Sequence, residues 1–189
     1  MIQNWKRAVA ALVLGSALLL PLSMASAKEP MVGMPNPLVE YRTYNELSDA
    51  VHFRPLSMPK GTFLAGKYKP AAYIAISGDV ADVRYGLEKD DGQLMLRSAK
   101  VGKGNQDISG IYTKNWKEKN LDGVTVSVAK VDKNHYAARW KVGSYTFAMY
   151  GEKMKEKAFM KLLPTMVDYT EQHYGEDVNP YARSLRSGR

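Results

Sequence analysis

Apolar residues recur along this chain with two periods, and the change of period divides it. Between Glu152 and Gly175 the spacing is helical: Met154, Ala158, Leu162 and Met166 fall every four residues, with Phe159, Leu163 and Val167 in the adjacent row. Lys153, Lys155, Glu156, Lys157 and Lys161 take the opposite side. Such a stripe needs a surface to cover. About seven apolar side chains at ~1.5–3 kcal/mol each give roughly 10–20 kcal/mol of gross burial, an upper figure because denatured chains already bury part of that surface. Pro164 interrupts the run. Inside a helix it removes a backbone hydrogen bond and crowds the turn before it, so the pattern predicts either a kink there or two helices with Pro164 in the first turn of the second.

From Phe63 to Gly151 the period falls to two, and turn residues punctuate it. Tyr73–Ser77 and Val80–Tyr85 flank Gly78-Asp79, a hairpin signal. Asp90-Asp91-Gly92-Gln93 turns into Leu94–Ala99, and the polar, glycine-rich Lys100–Gly110 is the longest loop expected inside the domain. Ile111–Trp116 reads as a short strand and Lys117–Asn120 as a connection. Val124, Val126 and Val128 alternate with Thr125 and Ser127 as a half-buried strand does. Tyr136, Ala138 and Trp140 share a face of the next strand; beyond the Gly143-Ser144 turn, Tyr145, Phe147 and Met149 share the apolar side of the last. Upstream, Thr43-Tyr44-Asn45-Glu46 has the form of a capping box opening a short helix to about His52, ended by Arg54-Pro55. The expected architecture is α+β: a curved antiparallel sheet, a meander of about six or seven strands, packed by the C-terminal helix and a short N-terminal one.

The two ends add a compartment. Lys6 and Arg7, then apolar Ala8 to Leu20, then Ala25-Ser26-Ala27 form a cleavable export signal over residues 1–27. The apolar run is short for a membrane helix and Pro21 follows it, so a secreted or periplasmic protein with no transmembrane segment after cleavage is expected. Residues 28–37 read as an extended leader, 38–175 as one domain, and 176–189 as a basic, disordered tail. The chain has no cysteine, which excludes disulfides, thiol catalysis and thiolate metal sites. Its formal charge of +8 suits association with anionic envelope polymers or lipid headgroups as well as plain solubility.

Catalytic patterns are mostly missing. His52, His135 and His173 stand in different elements without a partner at metal-ligand spacing. Met31 and Met34 lack companions for a copper site, and Glu88 with Asp90-Asp91 lacks the alternating oxygens of a calcium loop. No G-x-S-x-G elbow occurs. Ser57-Met58-Pro59-Lys60 contains a proline, and Ser127-Val128-Ala129-Lys130 lies in a strand, where residues three apart point to opposite faces. Gly102-Lys103-Gly104 lacks Walker spacing. No enzyme, metal or cofactor is therefore expected. What stands out is aromatic residues interleaved with Lys114, Lys117, Arg139 and Lys141. A sheet face of this composition binds single-stranded nucleic acid or stacks on sugars, and export argues against nucleic acid. The candidate contact residues are Asp107, Ser109, Tyr112, Trp116, Arg139, Lys141 and Tyr145.

Asn36-Pro37, Tyr41 and Thr43, then Glu46, Leu47, Ala50 and Phe53, then Pro59, Arg97, Asp107-Ile108-Ser109-Gly110, Gly123, Ala138, Trp140, Gly143 and Tyr145 together resemble an uncharacterised family of bacterial extracytoplasmic domains. Its members are small secreted proteins, lipoproteins and the outer portions of anti-sigma-type regulators. The resemblance implies a curved antiparallel sheet with helical cover and no established activity. The chain departs from the regulator members in lacking a transmembrane segment and a cytoplasmic zinc-binding portion. The reading expected is a non-enzymatic binding module for an envelope polymer, lipid or protein partner; the alternatives are a lipid or lipoprotein carrier with an apolar cleft between sheet and helix, and a hydrolase with a site assembled from distant residues.

Overall fold

The structure, a computed structural model, describes residues 37–87, 90–102 and 107–175. The expected signal, nearly all of the leader and the basic tail lie outside the described residues, as do Glu88 and the middle of the Lys100–Gly110 loop. Eight strands, β1 Leu38–Tyr41, β2 Tyr68–Ile76, β3 Val80–Leu87, β4 Asp90–Lys100, β5 Lys117–Leu121, β6 Val124–Asp132, β7 His135–Val142 and β8 Tyr145–Glu152, are joined by two helices, α1 Tyr44–Val51 and α2 Glu156–Tyr174. The strands form one open antiparallel sheet in the order β1-β2-β3-β4-β8-β7-β6-β5. The α+β class is as expected and the strand count is higher, but the sheet is not the simple meander expected: after β4 the chain crosses to the far edge at β5 and returns through β6, β7 and β8 to pair with β4. The two strands not foreseen are the edges. In β5 the sequence Lys-Glu-Lys-Asn-Leu carries no apolar alternation; main-chain pairing with β6, from Lys117↔Val128 to Leu121↔Val124, makes it a strand, and charged side chains suit an exposed edge. Ile111–Trp116, by contrast, is irregular.

Turn chemistry sets the register. Asp122-Gly123, with φ of 50° and 98°, closes the β5–β6 hairpin in the two-residue form that needs positive φ at both positions. At the β2–β3 turn three residues, 77–79, separate the strands, because Ser77 joins Gly78 in the left-handed region. Thr43 caps α1, its hydroxyl accepting from the Glu46 amide at 3.2 Å. The Glu46 carboxylate reaches one residue further back than a standard box, accepting from Arg42 N at 3.0 Å.

Helix α2 covers one face of the sheet. It is one unbroken helix beginning at Glu156, not Glu152, since Glu152 is still paired to Gln93 in the sheet. Pro164 lies inside it at an exposed position, so the ring that replaces its N–H sits on the side of the helix away from the core. Phe159, Leu162, Leu163, Met166 and Val167 are each at most 1% exposed and share a core with Tyr136, Trp140, Phe147 and Met149 of the sheet. The stripe runs further than the apolar pattern indicates: Thr170 accepts from Trp140 Nε1 at 2.9 Å, and the Tyr174 ring meets Phe147 at 5.0 Å. Among the described residues no helix is long and apolar enough to cross a membrane.

The order of strands forces one further feature. β4 lies in the middle of the sheet beside β8, whereas β5 is the far edge. The chain between them must pass β8, β7 and β6, about 19 Å at ~4.8 Å per strand. It does so across the face opposite α2, with Ile108 packed on Ala99, Ala148 and Val80. Residues 107–116 thus form a strap over the outer face.

Candidate functional site

Directly paired residues in an antiparallel ladder put their side chains on the same side. Following the pairs gives one row across all eight strands on the outer face: Glu40, Ile74, Asp82, Arg97, Ala148, Arg139, Ser127 and Glu118. Two arginines flank the small Ala148, and there Ile108 of the strap seats. The row is chemically lopsided, with a buried ion cluster on one side of Ala148 and an open polar groove on the other.

In the buried cluster Asp82 is fully enclosed. Its Oδ2 accepts from Arg84 (Nε 3.3 Å, Nη2 3.1 Å) and from Arg97 (Nε 3.3 Å, Nη2 3.2 Å). Arg97 turns its remaining nitrogen upward: Nη1 donates to the carbonyls of Ile108 and Ser109, both at 3.1 Å. One guanidinium therefore neutralises a buried carboxylate below and pins the strap above. Gly110 takes φ of 68° directly over it, where a Cβ would stand 2.7 Å from Arg97 Nη1. Glycine suits that position best, since a Cβ would add left-handed strain and push the Arg97 guanidinium aside.

On the other side Arg139 donates to Asp107 Oδ2 in an ion pair, and its guanidinium lies 4.3 Å from the centre of the Trp116 ring, within cation–π range. Asp107 Oδ1 accepts from Ser109 N at 2.9 Å, a local turn that fixes the carboxylate. Partial burial pushes the Asp107 carboxyl up, but hydrogen bonds from Ser109 and the nearby Arg139 outweigh it and hold its pKa below the usual range. Beside this pair a groove of about 550 Å³ opens, lined by Glu118, Thr125, Ser127, Arg139, Trp140, Lys141 and Thr146, with Asp107 on the strap side. It carries both signs of charge and three hydroxyls.

Five of the seven candidate residues come together here: Asp107, Ser109, Trp116, Arg139 and Lys141. Tyr112 stands on the strap fully in solvent. Tyr145 is a correction. It lies on the helix side, its ring 5.2 Å from Tyr174 and 5.7 Å from Phe53; the strand pattern already grouped it with Phe147 and Met149, and that pattern governs. Tyr136 and Trp140 are also on the helix side. Thr125, Ser127, Thr146 and Glu118 escaped the sequence reading because hydroxyls on a strand's polar face are ordinary until the fold sets them round one hollow. Asp82 had a weak signal: an acid two residues from Arg84 within one strand, hence on the same face. Among the described residues no three His, Asp or Glu side chains are placed to hold a metal ion.

Comparison with protein families, with curated proteins and with solved structures finds no match.

Proposed function

We propose that the protein is an exported, non-enzymatic binding module of the cell envelope, whose outer sheet face holds a hydroxyl-rich polar ligand such as a stretch of glycan. The observation that carries this is the 550 Å³ groove, in which hydroxyls and charges of both signs converge beside the Trp116 ring. Convergent polar groups in a hollow are the general mark of a ligand site, and the Trp116 ring, stacked on the Arg139 guanidinium that lines the groove, is of a kind that suits the apolar face of a sugar. Export is supported by the charged start, apolar middle and Ala-Ser-Ala end of residues 1–27. We take the sheet to be curved, as the bulges at Pro70/Ala72, Gly86/Leu87 and Lys130/Asp132 favour. The space between sheet and α2, where a lipid carrier would keep its cleft, is filled by Phe159, Leu162 and Met166, so nothing favours that alternative.

The test is co-sedimentation of the full chain with purified insoluble cell-wall glycan. Trp116→Ala and Lys141→Ala each reduce the bound fraction several-fold, while Lys157→Ala on the exposed side of α2 leaves it unchanged. Retention unaffected by both outer-face changes overturns the assignment of this face.

A further inference from the structure

The Asp107–Arg139 contact does something other than hold the strap in place. The strap's secure attachment is Arg97, whose side chain is only 17% exposed and bonds two strap carbonyls, together with Ile108 in its own small apolar cluster. Asp107 and Arg139, by comparison, are 35–37% exposed and face the groove. An ion pair at that exposure contributes little. Nor does Asp107 need it to keep its shape, since Oδ1 is held separately by Ser109 N.

We propose that Asp107 is a built-in stand-in for the ligand: Arg139 receives a carboxylate of the bound glycan after displacing Asp107 Oδ2, so the ligand is an acidic, uronate-type polysaccharide. This rests on the groove reading above and names its ligand class. The guanidinium fork matches a carboxylate in geometry, and the Trp116 ring on its face restricts the plane in which that fork lies. Lys141 follows two residues on, on the same face of β7 and about 7 Å away, supplying a second cation for an adjacent acidic unit. Ser127, the direct partner of Arg139, and Thr146, the direct partner of Lys141, put a hydroxyl beside each cation. Glu118 lies in the same row two strands from Arg139, roughly 10 Å off. It repels a carboxylate and accepts from sugar hydroxyls, which orients the ligand with its acid toward β7 and its hydroxyls toward β5.

Calorimetric titration of the full chain tests this, with trigalacturonate as the acidic probe, galactotriose as its neutral counterpart and a glycerol-phosphate trimer as the other anion. Asp107→Asn keeps an oxygen for Ser109 N, and its melting temperature checks the fold; Asp107→Ala is the second variant. Both bind trigalacturonate about two- to fivefold more tightly than wild type, the range set by an exposed ion pair. Arg139→Gln abolishes that binding, and galactotriose affinity is the same with or without Asp107. Unchanged or weaker trigalacturonate binding by both Asp107 variants overturns the displacement. A gain confined to the glycerol phosphate overturns the carboxylate assignment. If galactotriose still binds while the Asp107 variants show no gain, the displacement fails and the groove reading stands; if no probe binds any variant, both fail.

Discussion

Replacing Arg97 by leucine separates the two duties of that side chain. Below it, Asp82 is 0% exposed, and its Oδ1 already has no partner among the described residues. Taking away one of the two guanidinium groups on Oδ2 leaves a buried carboxylate with Arg84 alone, itself 33% exposed. Breaking a buried pair costs about 3–5 kcal/mol, and the retained Arg84 puts the expectation at the low end, about 3 kcal/mol. With a urea dependence of ~2 kcal/mol per molar for a domain of this size, the midpoint falls by roughly 1.5 M. Asp82→Leu combined with Arg97→Leu removes charge and partner together and recovers most of that loss. The strap is not recovered. Ile108 and Ser109 lose their donor in both variants, so hydrogen exchange at the Ser109 and Ile111 amides accelerates equally in the single and the double change. Urea unfolding followed by tryptophan fluorescence, with exchange read by NMR, gives both quantities. A cost below ~1 kcal/mol for Arg97→Leu, or a double variant as unstable as the single, refutes the buried-charge reasoning; unchanged exchange refutes the pin.

Three further outcomes follow from other contacts. Ala148→Phe fills the seat of Ile108 between the two arginines, so the strap lifts and Trp116 emission shifts to the red; an unshifted spectrum in a folded variant contradicts that seat. Burial raises Tyr85 to about 12 and also raises Tyr174. Folded values above the unfolded ~10 mean that their contribution is full below pH 10 and is lost as pH rises toward the folded values, at ~1.4 kcal/mol per pH unit for each group; a urea midpoint flat between pH 10 and 12 contradicts this, and Tyr85→Phe shallows the decline. Gly143 takes φ of 55°, and a Cβ there would meet the Tyr174 carbonyl at 2.7 Å, so Gly143→Ala destabilises by about 1–3 kcal/mol, and a melting temperature equal to wild type contradicts the close approach of α2's end.

The helical stripe of α2, the capped α1 and the inner faces of β6, β7 and β8 were legible because each buries a periodic set of side chains. The edges were not. β5 owes its existence to main-chain bonds with β6, and side-chain alternation carries no trace of those. The continuity of α2 through Pro164 was open on sequence grounds; the structure has one helix there, with Pro164 on its exposed side. At the site, Arg139, Lys141, Trp116 and Asp107 drew notice by residue type, yet nothing local says that Asp107 meets Arg139 across 32 positions. That contact exists because β4 and β5 are not neighbours, which obliges the connection to cross the sheet. Tyr145 shows the converse: composition suggested a binding residue, while its period placed it in the core.

The most direct test of the outer-face site is a backbone amide NMR titration of the full chain with soluble fragments of cell-wall glycan. The account predicts that shifts concentrate at Ser127, Arg139, Lys141, Thr146 and Asp107, with α2 unmoved. Shifts confined to α2 and the inner face, or none at saturating fragment, contradict it.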